Sequence, residues 1–215
     1  MRVYAFESVD WSDAIRHGLT QGKAIASIEE GLEAVEELLP TLSAHLNIAV
    51  RPHFLHVMPE YGTGGYTYDA EFIEITFDKT VPFGVEHALK SFYETVFHEG
   101  SHAARYNSTE FDGRFINSIV TEGLATVFER DHANYLPLYG QYEDGATMKH
   151  WYKEVSVCDW DKRDELMFEH PDGRKWIGYK TGTWLIDRAL SGSGKSVVDL
   201  MHLPADDIIR LAGLA

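Results

Sequence analysis

Cysteine is all but missing from this chain of 215 residues. The one thiol, Cys158, leaves no intrachain disulfide and no thiolate cluster for a metal. Positive charge is scarce as well: 19 lysines and arginines stand against 34 aspartates and glutamates, a net charge of -15. So acidic a chain lacks the basic face that a phosphate backbone requires, and no nucleic-acid partner is expected. No stretch approaches the roughly 18 consecutive apolar residues of a membrane helix, so no membrane partner is expected either. The opening "MRVYAFESVDWSDA" has no basic start, apolar run and small-residue cleavage site. No leader peptide is therefore expected, and the cytoplasm is the expected location. Repeats and low-complexity linkers are also missing. What remains is ordinary globular composition, 44% hydrophobic and 25% charged, in a chain long enough to bury a core as one domain.

Hydrophobic spacing divides the chain into three parts. Residues 1–45 read as mainly helical, with an interruption between Gly18 and Gly22. Ile25, Ile28, Leu32, Val35, Leu38 and Leu39 recur at three- and four-residue steps, and Pro40 closes the run. Residues 46–106 read as a small sheet followed by a helix. Ile48, Val50, Phe54, Leu55 and Val57 suit one short strand. "YTYDAEFIEITFD", after the Gly62 to Gly65 turn, suits one or two more. The spacing then predicts a helix from about Val85 to Tyr106. Residues 107–215 read as helical: about Arg114 to His132, a short helix near 145–156, another from about Trp176 to Leu190, and two short ones at the end.

The chemistry concentrates in "TVFHEGSHAARY". On a helix, His98 and His102 are about 400° apart and share one face. Two imidazoles so placed can hold one Zn²⁺. Glu99 projects about 100° from His98, beside the metal rather than on it, where a general base belongs. Gly100 lies mid-helix at a cost of ~1 kcal/mol relative to alanine. Close approach of another segment or of a substrate would explain it, and so would packing. A catalytic zinc needs a third ligand and an open position. Glu122, in "NSIVTEGLATVFER" on the next predicted helix, is flanked by Ile119, Val120, Leu124 and Val127. A carboxylate among such neighbours needs a partner, and a cation facing it is one.

His98-Glu99-x-x-His102 followed by Glu122 in "TEGLA" resembles the gluzincin clan of zinc metallopeptidases, which includes the thermolysin and zinc-aminopeptidase families. "IVTEGLATVFER" also resembles a family of bacterial predicted zinc-dependent proteases of otherwise undefined function. The similarity spans roughly residues 60 to 210. It implies a zincin-like α+β fold: a small mixed sheet with an edge strand over the HExxH helix, then a mainly helical C-terminal part. It also implies His98, His102 and Glu122 as ligands of a single Zn²⁺, with Glu99 as the base.

A tetrahedral oxyanion calls for a second donor besides the metal. Tyr179, in "WIGYKTGTWLIDRAL", can donate without titrating near neutral pH. Its Tyr-x-x-Gly setting, with Gly182 open to a close neighbour, resembles the aminopeptidase motif that carries the transition-state tyrosine. His132, His150 and His170 are further candidates, the last two by analogy with the thermolysin branch. That branch has an acidic residue four positions after the third ligand, where this chain has Thr126, a possible acceptor for a ligand histidine. Substrate contacts fall to Gly64, Gly65 and Tyr66, just before the HExxH helix, where an edge strand could pair with an extended peptide. The aminopeptidase Gly-x-Met-Glu-Asn segment is missing here, which leaves endopeptidase activity open. "SGSGKS", residues 191 to 196, imitates a phosphate loop, but Ala189 occupies the position of its first glycine. It reads as a helix C-cap and loop.

The expectation is a zinc peptidase acting on peptide or protein substrates through Glu-assisted attack of a zinc-bound water. The alternative is a zinc-stabilised binding or regulatory protein without turnover. Oligomeric state, cleavage preference and biological role are not written in the sequence.

Overall fold

The computed structural model describes residues 1–6, 9–53, 57–106 and 113–214. The chain divides into two compact units, Met1–Asn107 and Ser108–Ala215. Phe54 and Leu55, included in the strand reading above, lie outside the described residues.

In the first unit a four-stranded mixed sheet is backed by helices. Its strands are β1 (Arg2–Ala5), β2 (Asn47–Pro52), β3 (Thr63–Asp69) and β4 (Phe72–Phe77), in the spatial order β1-β2-β4-β3. β1, β2 and β4 run parallel, while β3 is antiparallel to β4 and forms the sheet's edge. β1 is an addition to the helical reading of residues 1–45. Four residues carry too little periodicity to announce a strand, and its partner lies some 45 positions along the chain. The crossover from β1 to β2 contains α1 (Ser12–Arg16) and α2 (Gln21–Leu38). The break between them falls at the anticipated glycine region. The Thr20 hydroxyl caps α2 by accepting from the Lys23 amide, and the helix stops two residues before Pro40.

α3 (Val85–Tyr106) occupies the range its apolar spacing predicts. It packs on α2 at two glycines. A Cβ on Gly31 would stand 3.1 Å from the Val96 side chain, and one on Gly100 would stand 2.9 Å from a Val35 methyl. Packing therefore accounts for Gly100. Under these helices the sheet buries Ile73, Ile75 and Phe77, with Phe77 against Trp11 and Phe92. Its other face is polar and aromatic: Glu74 receives Arg51 at 2.7 Å and the Tyr68 hydroxyl at 3.3 Å.

The second unit is helical among its described residues. Its helices are α4 (Phe115–His132), α5 (Gly145–Val155), α6 (Arg163–Met167), α7 (Ile177–Ser193), α8 (Val197–Met201) and α9 (Ala205–Leu211). α4 is buried on most of its circumference, from Phe115 and Ile119 through Leu124, Val127 and Phe128, as befits the central element of a core. It meets α7 with no side chain between them: a Cβ on Gly123 would lie 2.7 Å from the Gly182 Cα, and closer still to that residue's carbonyl group. Gly182 thus admits a neighbouring helix. Gly194 ends α7 in the left-handed conformation, φ +68°, so "SGSGKS" supplies a last turn and its cap. Short α6 lies outside the predicted helices: "RDELM" has only Leu166 and Met167 as apolar positions. Among the described residues no helix is long and apolar enough to cross a membrane.

Candidate metal centre

His98 and His102 are one turn apart on α3, their rings 4.9 Å apart and edge to face. His98 is buried, while His102 and Glu122 are half-buried. Each of the three offers one ligand atom, and these atoms lie within 4.8 Å of one another. Two imidazoles and a carboxylate form the donor set of a zinc ion that keeps an open position, so the residues fit the metal in kind and number. The Thr126 hydroxyl donates to the Glu122 carbonyl at 2.8 Å, one turn back along α4, which leaves its oxygen lone pairs for accepting.

Glu99 is buried, and its surroundings come from β3. The Thr67 hydroxyl lies 2.7 Å from Glu99 Oε2 and 3.0 Å from the Glu99 carbonyl oxygen. Gly65, two residues earlier on the same strand face, lies directly beneath the side chain. A Cβ there would stand 2.5 Å from Glu99 Cγ and 2.6 Å from Oε1.

Beyond the Met58–Thr63 bridge, the outer edge of the same strand has no strand paired to it among the described residues. The Thr63 carbonyl accepts from the Met58 amide, so it points away from β4. Backbone direction alternates along a strand. Gly65 and Thr67 therefore also direct N–H and C=O outward, while Gly64 and Tyr66 turn theirs toward Thr76 and Glu74 of β4. The Tyr66 ring belongs to the face opposite Gly65 and Thr67. It is 56% exposed and packs on Tyr68 at 4.7 Å.

Tyr179 occupies the first turn of α7, half-buried, with its ring 5.0 Å from that of Tyr139. His150 is exposed on α5. His170 is engaged with Asp172 at 2.9 Å and Glu154 at 3.8 Å. His132, in the last turn of α4, packs against Phe128 at 4.7 Å, and burial pushes its pKa below the ordinary value.

Of the buried charges that the sequence reading does not single out, two follow the ligand residues along the same helices. Arg105, three residues after His102, is buried, and desolvation pushes its pKa down to about 10, still charged at neutral pH. Glu129, seven residues after Glu122 on α4, is 3% exposed and accepts the Tyr139 hydroxyl at 2.8 Å. Its place on the apolar run of α4 was a visible signal, but its partner is ten residues away in a loop segment without periodicity.

A family model described as "Predicted Zn-dependent protease (DUF2268)" matches residues 54–210, well over half of the chain. No curated protein and no solved structure matches it.

Proposed function

The chain belongs to the DUF2268 family of predicted Zn-dependent proteases, and from that premise we propose that it hydrolyses peptide bonds with a gluzincin-type centre. His98, His102 and Glu122 would hold one Zn²⁺. Bound there, the metal supplies Lewis acidity toward a substrate carbonyl and toward water. The observation that carries the reading is the grouping of those three ligand atoms within 4.8 Å, next in sequence to a buried carboxylate.

The chain's own residues account for the remaining work. Glu99 takes a proton from the attacking water on a carboxylate oxygen and later delivers it to the leaving amine nitrogen. An extended peptide pairs with the outer edge of β3 through the backbone groups of Gly65 and Thr67, as a strand added to the sheet. Water and scissile carbonyl are thereby held near the base, which turns an encounter into an oriented reaction. Tyr179 donates its hydroxyl proton in a hydrogen bond to the developing oxyanion, a role resting on the motif resemblance.

A peptide-library digest comparing wild type with Glu99→Gln, with zinc assayed in both, tests the proposal. The expected result is cleavage by wild type, loss of about 10³-fold or more in the variant and equal zinc. Equal cleavage by both proteins would overturn the role of Glu99. Bound zinc with no cleavage by either would favour the binding-protein alternative.

A further inference from the structure

We infer that Gly65 and Thr67 form a seat on β3 that fixes the Glu99 carboxylate for reaction, with Thr67 as a positioning residue. The inference rests on the peptidase reading above and deepens it. A glutamate side chain has several staggered conformers, and a base must have an oxygen within hydrogen-bond reach of the proton it removes. The helical position of Glu99 restricts χ1 but leaves open the outer torsions that aim the carboxylate.

β3 makes the selection. The Thr67 hydroxyl has one proton and two acceptors within reach, Oε2 at 2.7 Å and the Glu99 carbonyl at 3.0 Å. The shorter bond, to the charged acceptor, holds the proton more strongly. The bond to Oε2 sets the plane of the carboxylate and leaves Oε1 without that donor. That oxygen sits over Gly65, where a Cβ would stand 2.6 Å from it and 2.7 Å from Cδ. Gly65 is not in the left-handed region, so its backbone does not call for glycine. A glycine inside a strand weakens the strand, and the carboxylate above it supplies the reason for its presence.

Gly65 and Thr67 also present the outward backbone groups of the edge strand. One short segment thus sets the base with its side-chain face and registers the peptide with its edge. Base and scissile bond share a single frame, and errors of about 1 Å in that frame cost roughly 10²-fold in rate.

Thr67 could instead be only a tether between β3 and α3 through the Glu99 carbonyl. The test separates the two roles with Thr67→Val, which keeps shape and removes the hydroxyl, Thr67→Ser, which restores it, and Gly65→Ala, with Glu99→Gln as reference. kcat and KM are measured separately on a cleaved peptide, and crystal structures are determined for wild type and Thr67→Val. The expected result is a fall in kcat of about 10–100-fold for Thr67→Val with KM within about threefold, since the backbone edge is unchanged. Thr67→Ser should recover most of that loss, and Gly65→Ala should lose at least as much as Thr67→Val with zinc retained. In the Thr67→Val crystals the Glu99 carboxylate should leave its place over Gly65. Wild-type kcat in Thr67→Val, or an unmoved Glu99 carboxylate in its crystals, would overturn the seat. A loss that serine does not restore would reduce Thr67 to a tether. Failure of the peptidase reading has a different signature, undiminished cleavage by Glu99→Gln or none by wild type. In that case the crystal comparison decides the seat alone.

Discussion

Gly100 and Gly123 look alike in sequence. Each sits in a helix beside the candidate chemistry, one inside "HEGSH" and the other directly after Glu122. Their surroundings differ. Gly100 faces the tip of a valine on α2, whereas Gly123 faces the backbone of Gly182 on α7. A side-chain tip can yield by a few tenths of an ångström, but a helix backbone cannot without moving the helix. Gly100 is therefore a tolerant position, and Gly123 an intolerant one. A glycine within a motif takes its meaning from what crosses it, and the motif itself does not reveal that.

Alanine at the two positions is the sharpest way to break this comparison. Gly123→Ala should destabilise the protein by about 3 kcal/mol or more, because the added methyl has no room except by separating two helices. Gly100→Ala gains about 1 kcal/mol of helix propensity and loses a similar amount against Val35, so its net change should stay within about 1 kcal/mol. Urea midpoints of the two variants give the check. Equal midpoints would show that the two contacts are alike.

A smaller effect distinguishes packing from charge within the second unit. Glu154 receives the Arg174 guanidinium at 2.7 and 3.0 Å, and these bonds hold its carboxyl below the usual glutamate range. A carboxylate whose folded pKa is lowered stabilises the fold fully above its unfolded value, near pH 4.3, and loses that contribution as pH falls through the folded value. The group is partly exposed, so solvent screening limits it to roughly 0.5–1 kcal/mol. Glu154→Gln should be less stable than wild type by that amount at pH 7, and the gap should close as pH falls through the lowered folded value. The defect of Gly123→Ala should not change with pH over the same interval. Denaturation curves across that interval test both statements.

What the sequence makes legible follows the length over which a pattern repeats. α3 spans five turns of apolar spacing, and its predicted range holds at both ends. The apolar spacing places α2, closed by Pro40, and α4 as well. β1 and α6 are not legible, because four strand residues and a helix with two apolar positions carry no clear period. His98, His102 and Glu122 stand out by residue type on two long helices, and they are the residues whose ligand atoms come together. Gly65 was marked as a possible substrate contact without its neighbour, because a glycine records only that something lies close. The close group, Glu99, comes from another element, 34 positions along the chain. Thr126 illustrates the same limit, since residue type alone does not tell that its hydroxyl proton goes to the Glu122 carbonyl.

The most direct test of the central claim is the zinc content of the purified protein, measured by elemental analysis without chelators. Wild type and Glu99→Gln should each carry one zinc per chain, and Glu122→Ala should lose most of it. Full zinc occupancy in Glu122→Ala, or none in wild type, would contradict the account.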